Sequence, residues 1–393
     1  MRTMSRTIQV ITEQTMKPDR IDSLTGLRAV AMLTVFCSHL SYLAETPYQG
    51  FYALIDNGKF GVNFFLVLSG FVLALGYSDE VNAYDFCQDV QFVKKRLKKI
   101  YIPYLITLIL AIPLYIFDAV RIEGALNVPL MISRLIINIG MIQSAIPFIK
   151  YSTSINVVSW FISTIYIIYL LTPGILRLNN KASKHYTLLK LVILMFTVLF
   201  LYCCFYMAIR EIEYVRFADR GLSIIYINPL IRLFPFLLGI IGYDIYRLSG
   251  EFQIGKESVA EISGMAVFFI WWIASNKTGL PTVLTECTDM LVSLLVVLIF
   301  AFSRSGFVSG LLSKDKMMNL GKISLEFYLV HYLVINYVMI AANHFGLDRG
   351  IAVIPLTLVF FALSLCGARL IRSFTEWLLS GFKVGKKQTN YLR

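Results

Sequence analysis

The segment TGLRAVAMLTVFCSHL (25–40) carries an arginine, Arg28, and a histidine, His39, inside otherwise apolar sequence. Ionisable groups are costly in a bilayer and persist there beside a partner or a wet cavity. On a helix the eleven positions from Arg28 to His39 make three turns plus about 20°, so the two share one face. Their axial separation is about 16 Å, half the thickness of a hydrocarbon core. Histidine titrates near neutral pH and suits proton abstraction; arginine keeps its charge and suits an anion or a developing oxyanion. Taken singly, each has a structural reading, Arg28 as a snorkelling anchor and His39 as a hydrogen-bonded packing residue. Their common face favours a functional pair turned toward the bundle interior.

Other residues carry weaker signals. The run KKRLKK (94–99) puts Arg96 and Lys99 on one helical face, where they suit phosphates; the same run suits an anchor on anionic lipid. Ser69-Gly70 permits close approach of a ligand or a helix, and tight packing is the stronger reading. Trp160 reads as a membrane-interface aromatic or a platform for a sugar. Arg232, near Asn228, is a candidate for contacting an acceptor. His331 follows Glu326 by five residues, about 140° around a helix, so the two do not face each other and both read as packing residues. The six cysteines show no CxxC spacing, and Cys37, Cys203, Cys204 and Cys366 fall in or near apolar runs, so neither disulfide nor metal is implied.

The elements that must position these residues are membrane helices. The chain has 393 residues, is 57% hydrophobic and only 15% charged, with mean hydropathy +0.70; soluble domains run nearer a quarter charged. The expected fold is an all-α polytopic membrane bundle without a separate soluble domain. Ten spans are expected, at 24–44, 58–77, 100–118, 155–174, 187–208, 228–247, 259–275, 288–303, 323–343 and 350–372. A further apolar segment, 130–148, is interrupted by Arg134, Asn138 and Gln143 and is expected to lie at the interface. The first twenty residues lack a continuous apolar core, so the first span is expected to serve as the membrane signal. The domain plan is a cytoplasmic tail over 1–20, the membrane domain over 21–375 and a basic cytoplasmic tail over 376–393.

Charge fixes the count and orientation. The net charge is +12, and a ten-span path with a cytoplasmic N-terminus gathers the basic loops inside. An eleventh span at 130–148 would carry most later basic loops outside. The positive charge is thus a matter of membrane lipid and topology, and no nucleic-acid partner is expected.

Five stretches in order resemble signatures of the acyltransferase-3 family of membrane acyltransferases. IDSLTGLRAVAMLTVFCSH (21–39) is similar to its opening motif, GVNFFLVLSGF (61–71) to its second helix, and FVKKRLKKIYIPY (92–104) to the basic segment before its third. SWFISTIYIIYLLTP (159–173) is similar to its fourth helix and LGKISLEFYLVHYLV (320–334) to its ninth. The resemblance implies transfer of an acyl group, commonly acetyl, from cytoplasmic acyl-CoA to sugars of cell-envelope glycans, with no metal. It implies His39 as the essential histidine, Arg28 as its partner, Arg96 and Lys99 on the CoA phosphates, and Ser69 and Gly70 along the donor channel. The expected partners are membrane lipids and a glycan or lipid-linked glycan acceptor, and the expected location is the cell membrane with both termini cytoplasmic.

The sequence departs from the family pattern at three places. Asn63 stands where an acid is frequent, which removes a salt bridge there. Lys99 replaces the second arginine of Arg-x-x-Arg and meets phosphate as a point charge only. Ser163-Thr164-Ile165 replaces Ser-Val-Glu, with no acid. A rival class, a transporter or flippase of a lipid-linked glycan, predicts an internal repeat and helices broken at the midplane; the sequence shows no repeat.

Overall fold

The computed structural model describes residues 21–81, 85–216, 222–250, 252–346 and 353–389, and all regular structure in them is helical. The expected tail over 1–20 and the last four residues, 390–393, lie outside this range. The first helix, α1 (Asp22–Ser38), buries Leu24, Leu27, Ala31, Met32, Val35 and Phe36 around most of its circumference, which makes it an inner helix of the bundle. It ends at Ser38. His39 follows at φ −90°, ψ 4°, then a 3-10 turn over Ser41–Glu45 and the short α2 (Gln49–Ile55). The expected span 24–44 is therefore cut short: 17 residues rise only about 26 Å.

The chain returns through α3 (Gly58–Val81) and enters α4 (Phe86–Glu123). A capping box starts α4: Asp85 Oδ1 accepts from Gln88 N at 2.7 Å, and Gln88 Oε1 accepts from Asp85 N at 2.8 Å. Gly124, at φ 75°, ends it in the left-handed conformation that glycine adopts most readily. At 38 residues α4 is about 57 Å long, so its polar first turns stand clear of any hydrocarbon core. The interrupted segment forms α5 (Val128–Ile139), whose 12 residues rise about 18 Å and fall well short of a bilayer core.

The path continues through α6 (Trp160–Ser183), α7 (Leu188–Arg216), α8 (Pro229–Leu248), α9 (Glu257–Ala274) and α10 (Thr282–Phe302). Two short helices, α11 (Phe307–Leu312) and α12 (Asp315–Lys322), precede α13 (Ser324–His344) and α14 (Val353–Thr389). Among the described residues nine helical stretches are long and apolar enough to cross a membrane. The tenth expected span is α1, which falls just below that length. α14 runs past the expected domain boundary at 375.

Successive long helices alternate between two ends of the bundle. One, the basic end, gathers the start of α1, the last turns of α3, the start of α4, and α11 and α12. The other, the histidine end, holds His39, α5 and the start of α6. At the centre α3 crosses α8 with backbones touching. A Cβ on Gly70 would overlap the carbonyl oxygen of Phe236, and one on Gly239 that of Val67, so only glycine fits either position.

Beside this crossing lies a buried polar layer. Arg232 is wholly buried; its Nη2 donates to Glu286 Oε2 at 2.9 Å, its Nη1 to Asn63 Oδ1 at 2.8 Å and its Nε to Tyr226 O at 2.6 Å. Tyr202 Oη adds a bond to Glu286 Oε2 at 2.6 Å, and Trp271 Nε1 donates to Asp289 Oδ1 at 2.7 Å. A buried ion pair satisfied in this way is costly to break from one side, by about 3–5 kcal/mol.

Candidate active site

The histidine that ends α1 is placed by its own backbone. His39 Nδ1 lies 2.8 Å from Val35 O, a carbonyl in the last turn of the helix that also accepts from Ser38 Oγ at 2.8 Å. A carbonyl only accepts, so the pattern assigns the proton to Nδ1 and leaves Nε2 with a free lone pair. A second histidine stands across from it. His331, 1% exposed on α13, has Nε2 3.3 Å from His39 Nδ1, and its own Nδ1 lies 3.2 Å from Phe327 O. The same logic gives His331 a proton on Nδ1 and a bare Nε2 facing the N–H of His39. The rings meet edge-on at 4.9 Å between centroids, and Phe36 and Phe327 pack around His331. The reading of His331 as a packing residue is thus corrected: it is the partner of His39. Glu326 turns away, toward Arg372 at 3.5 Å.

Three turns back along α1, half-buried Arg28 lines a cavity of about 810 Å³ at the basic end. Five cations border it, Arg28, Lys95, Arg96, Lys99 and Lys322, against one acid, Glu80. Its size lies within the range of small-molecule and cofactor sites. Arg96 is held by aromatic faces, its guanidinium carbon 4.8 Å from the Tyr77 ring centroid and 5.9 Å from that of Phe92. The helical turn divides KKRLKK: Lys95, Arg96 and Lys99 line the cavity, and Lys94 and Lys98 do not. Sequence reasoning singled out Arg28, Arg96 and Lys99 but not Lys95 or Lys322. The signal for Lys95 was present in the run; that for Lys322 was not, because it arrives from α12, far along the chain.

The other expected site residues fall elsewhere. Ser69 lies on the α3 face that carries the cavity residues Val72 and Gly76, one turn beyond them, and is not part of the lining. Gly70 is used by the α3–α8 crossing, which corrects its placement along a donor channel. Trp160 is 7% exposed and packs on Tyr226 at 5.0 Å, so it is neither a lipid-interface residue nor an open sugar platform. Arg232 has all three nitrogens of its fork committed to protein oxygens, which corrects its expected reach toward an acceptor. Among the described residues no group of three or more potential metal ligands occurs.

A family model described as an acyltransferase domain matches residues 21–372 of the chain. The chain belongs to the acyltransferase-3 family. Acyltransferase MdmB of Streptomyces mycarofaciens is 26% identical to it over 325 residues, which is 81% of this chain and 80% of that protein. No solved structure matches. The protein is therefore a multi-pass membrane acyltransferase.

Two departures from the family pattern find physical accounts. The interaction at Asn63 is not lost, because Asn63 accepts from Arg232 while Glu286 supplies the charge. At 163–165, hydroxyls do structural work in place of the acid. Ser163 Oγ donates to Met141 O at 2.7 Å and accepts from Ser144 N at 3.1 Å, and Thr164 Oγ1 donates to Ile227 O at 2.9 Å.

Proposed function

We propose that this acyltransferase moves an acetyl group from cytoplasmic acetyl-CoA to a hydroxyl of an envelope polysaccharide or its lipid-linked precursor. One observation carries the reading: a single inner helix runs from a five-cation cavity at Arg28 to a paired histidine at its far end. CoA carries several phosphates, and Arg96, with its planar fork, and the three lysines offer them charge-assisted contacts. With the basic end in the cytoplasm, as the positive-inside rule favours, the pantetheine arm extends past Arg28 toward His39.

The chemistry then follows from the histidine pair. His39 Nε2 takes the proton from the acceptor hydroxyl as its oxygen attacks the thioester carbonyl carbon. His331 Nε2 accepts from the Nδ1–H of His39 and steadies the imidazolium that forms, the role an orienting acceptor plays beside a catalytic histidine. As the tetrahedral intermediate collapses, the C–S bond breaks and the proton passes from His39 to the CoA sulfur. The products are an ester and free CoA.

The test uses [1-14C]acetyl-CoA and membranes from the native host. Membranes holding the protein should release CoA and place base-labile label on glycan. Label that stays in acetyl-CoA, with folded protein present, would overturn the reading.

A further inference from the structure

The histidine end holds a second, smaller cavity, of about 250 Å³. Late α4 supplies Tyr115 and Asp118, α5 supplies Arg134, the segment before α6 supplies Thr153, and α13 supplies Tyr332 and Asn336. α4 alone relates the two cavities: Arg96 lines the first and Asp118 the second, about 33 Å apart along the helix. The histidine pair is not part of the lining of the second cavity and lies one side chain away from it. The Tyr332 ring that lines this cavity meets the His39 ring edge-on, 5.5 Å between centroids.

The lining is suited to a particular chemistry. Hydroxyl, amide, carboxylate, ammonium and guanidinium groups accompany two tyrosine rings, a mixture that binds a polyol. Arg134 Nη1 donates to Tyr115 Oη at 2.7 Å, whereas its Nε is buried with no hydrogen-bond partner. A buried N–H without an acceptor is unfavourable, and an oxygen of a bound ligand would satisfy it. The volume lies below that of drug-sized sites, so it fits one ring-sized unit rather than a chain.

We infer that this cavity is the acceptor subsite, holding a single hydroxyl-rich sugar unit with an oxygen on Arg134 Nε and one hydroxyl directed past Tyr332 to His39. The inference rests on His39 as the base and on the basic cavity as the donor site. It separates two substrates across the membrane: donor at the basic end, acceptor at the histidine end.

Two variants test it without touching the donor site. Thr153→Trp fills the cavity, and Arg134→Lys keeps the charge but removes Nε. Each is placed in a host strain lacking its own copy of the gene. Its membranes are given [1-14C]acetyl-CoA, and base-labile label on glycan is measured. Acetyl-CoA binding is measured in parallel on detergent-purified protein. Both variants should lose label at least tenfold while binding acetyl-CoA with wild-type Kd. Wild-type label in either variant would overturn the subsite, as would loss of label together with loss of acetyl-CoA binding, which marks a structural role. Wild-type protein that places no label contradicts the donor reading, and the subsite falls with it.

Discussion

At the residue scale the account turns on two ring nitrogens. The Nδ1–H of His39 is shared between Val35 O and His331 Nε2, so proton transfer falls to Nε2. Replacing His39 by alanine should lower acetyl transfer by about 10²–10⁴-fold, the usual contribution of a positioned base, with protein abundance in membranes unchanged. Transfer at the wild-type rate in intact cells would remove His39 from the mechanism. His331→Asn removes the acceptor facing the Nδ1–H of His39. It should lower kcat roughly tenfold, the contribution of one hydrogen bond, and leave the KM for acetyl-CoA in place. A raised KM with unchanged kcat would assign His331 to donor binding instead. The sequence singled out His39 because Arg28, eleven positions back, shares its helix face. His331 was not, because its meaning comes from a helix 292 positions away, whereas the sequence offered only Glu326 for comparison.

At the scale of elements, hydropathy marked where helices run but not where they stop. α1 ends early because the chain turns through Ser41–Glu45 while its residues are still apolar, a change that composition does not record. α4 begins at Phe86 because of the Asp85–Gln88 capping box, in a polar stretch that an apolar window passes over. Arg232 looked available because Glu286, its partner, lay just outside the span expected from 288 onward. Gly70 carries an element-scale prediction. A side chain there meets the backbone of α8, so Gly70→Val should destabilise the α3–α8 crossing by about 1–3 kcal/mol. A lowered unfolding midpoint in detergent checks this; an unchanged midpoint would show that the helices do not cross so closely.

At the scale of the whole molecule, the start of α1 and the Arg372 turn of α14 both lie at the basic end, beside Lys322, and the orientation proposed from the positive-inside rule faces that end to the cytoplasm. A tag after Arg393 should therefore be protected from impermeant reagents in intact cells, and labelling from outside would reverse the orientation. The central claim is that the basic cavity holds the phosphates of the acyl donor, and the split of KKRLKK supplies a control within six residues. The apparent KM for acetyl-CoA should be compared among wild type, Arg96→Gln/Lys99→Gln and Lys94→Gln/Lys98→Gln, in detergent-purified protein. The first double variant should raise KM roughly 10- to 100-fold, as expected for the loss of charge-assisted contacts of about 1.5–3 kcal/mol. The difference should shrink as salt screens this half-exposed site. The second variant, which removes the same charge outside the cavity, should leave KM at the wild-type value. Equal KM values in all three proteins would contradict the account and leave the run as a topology anchor alone.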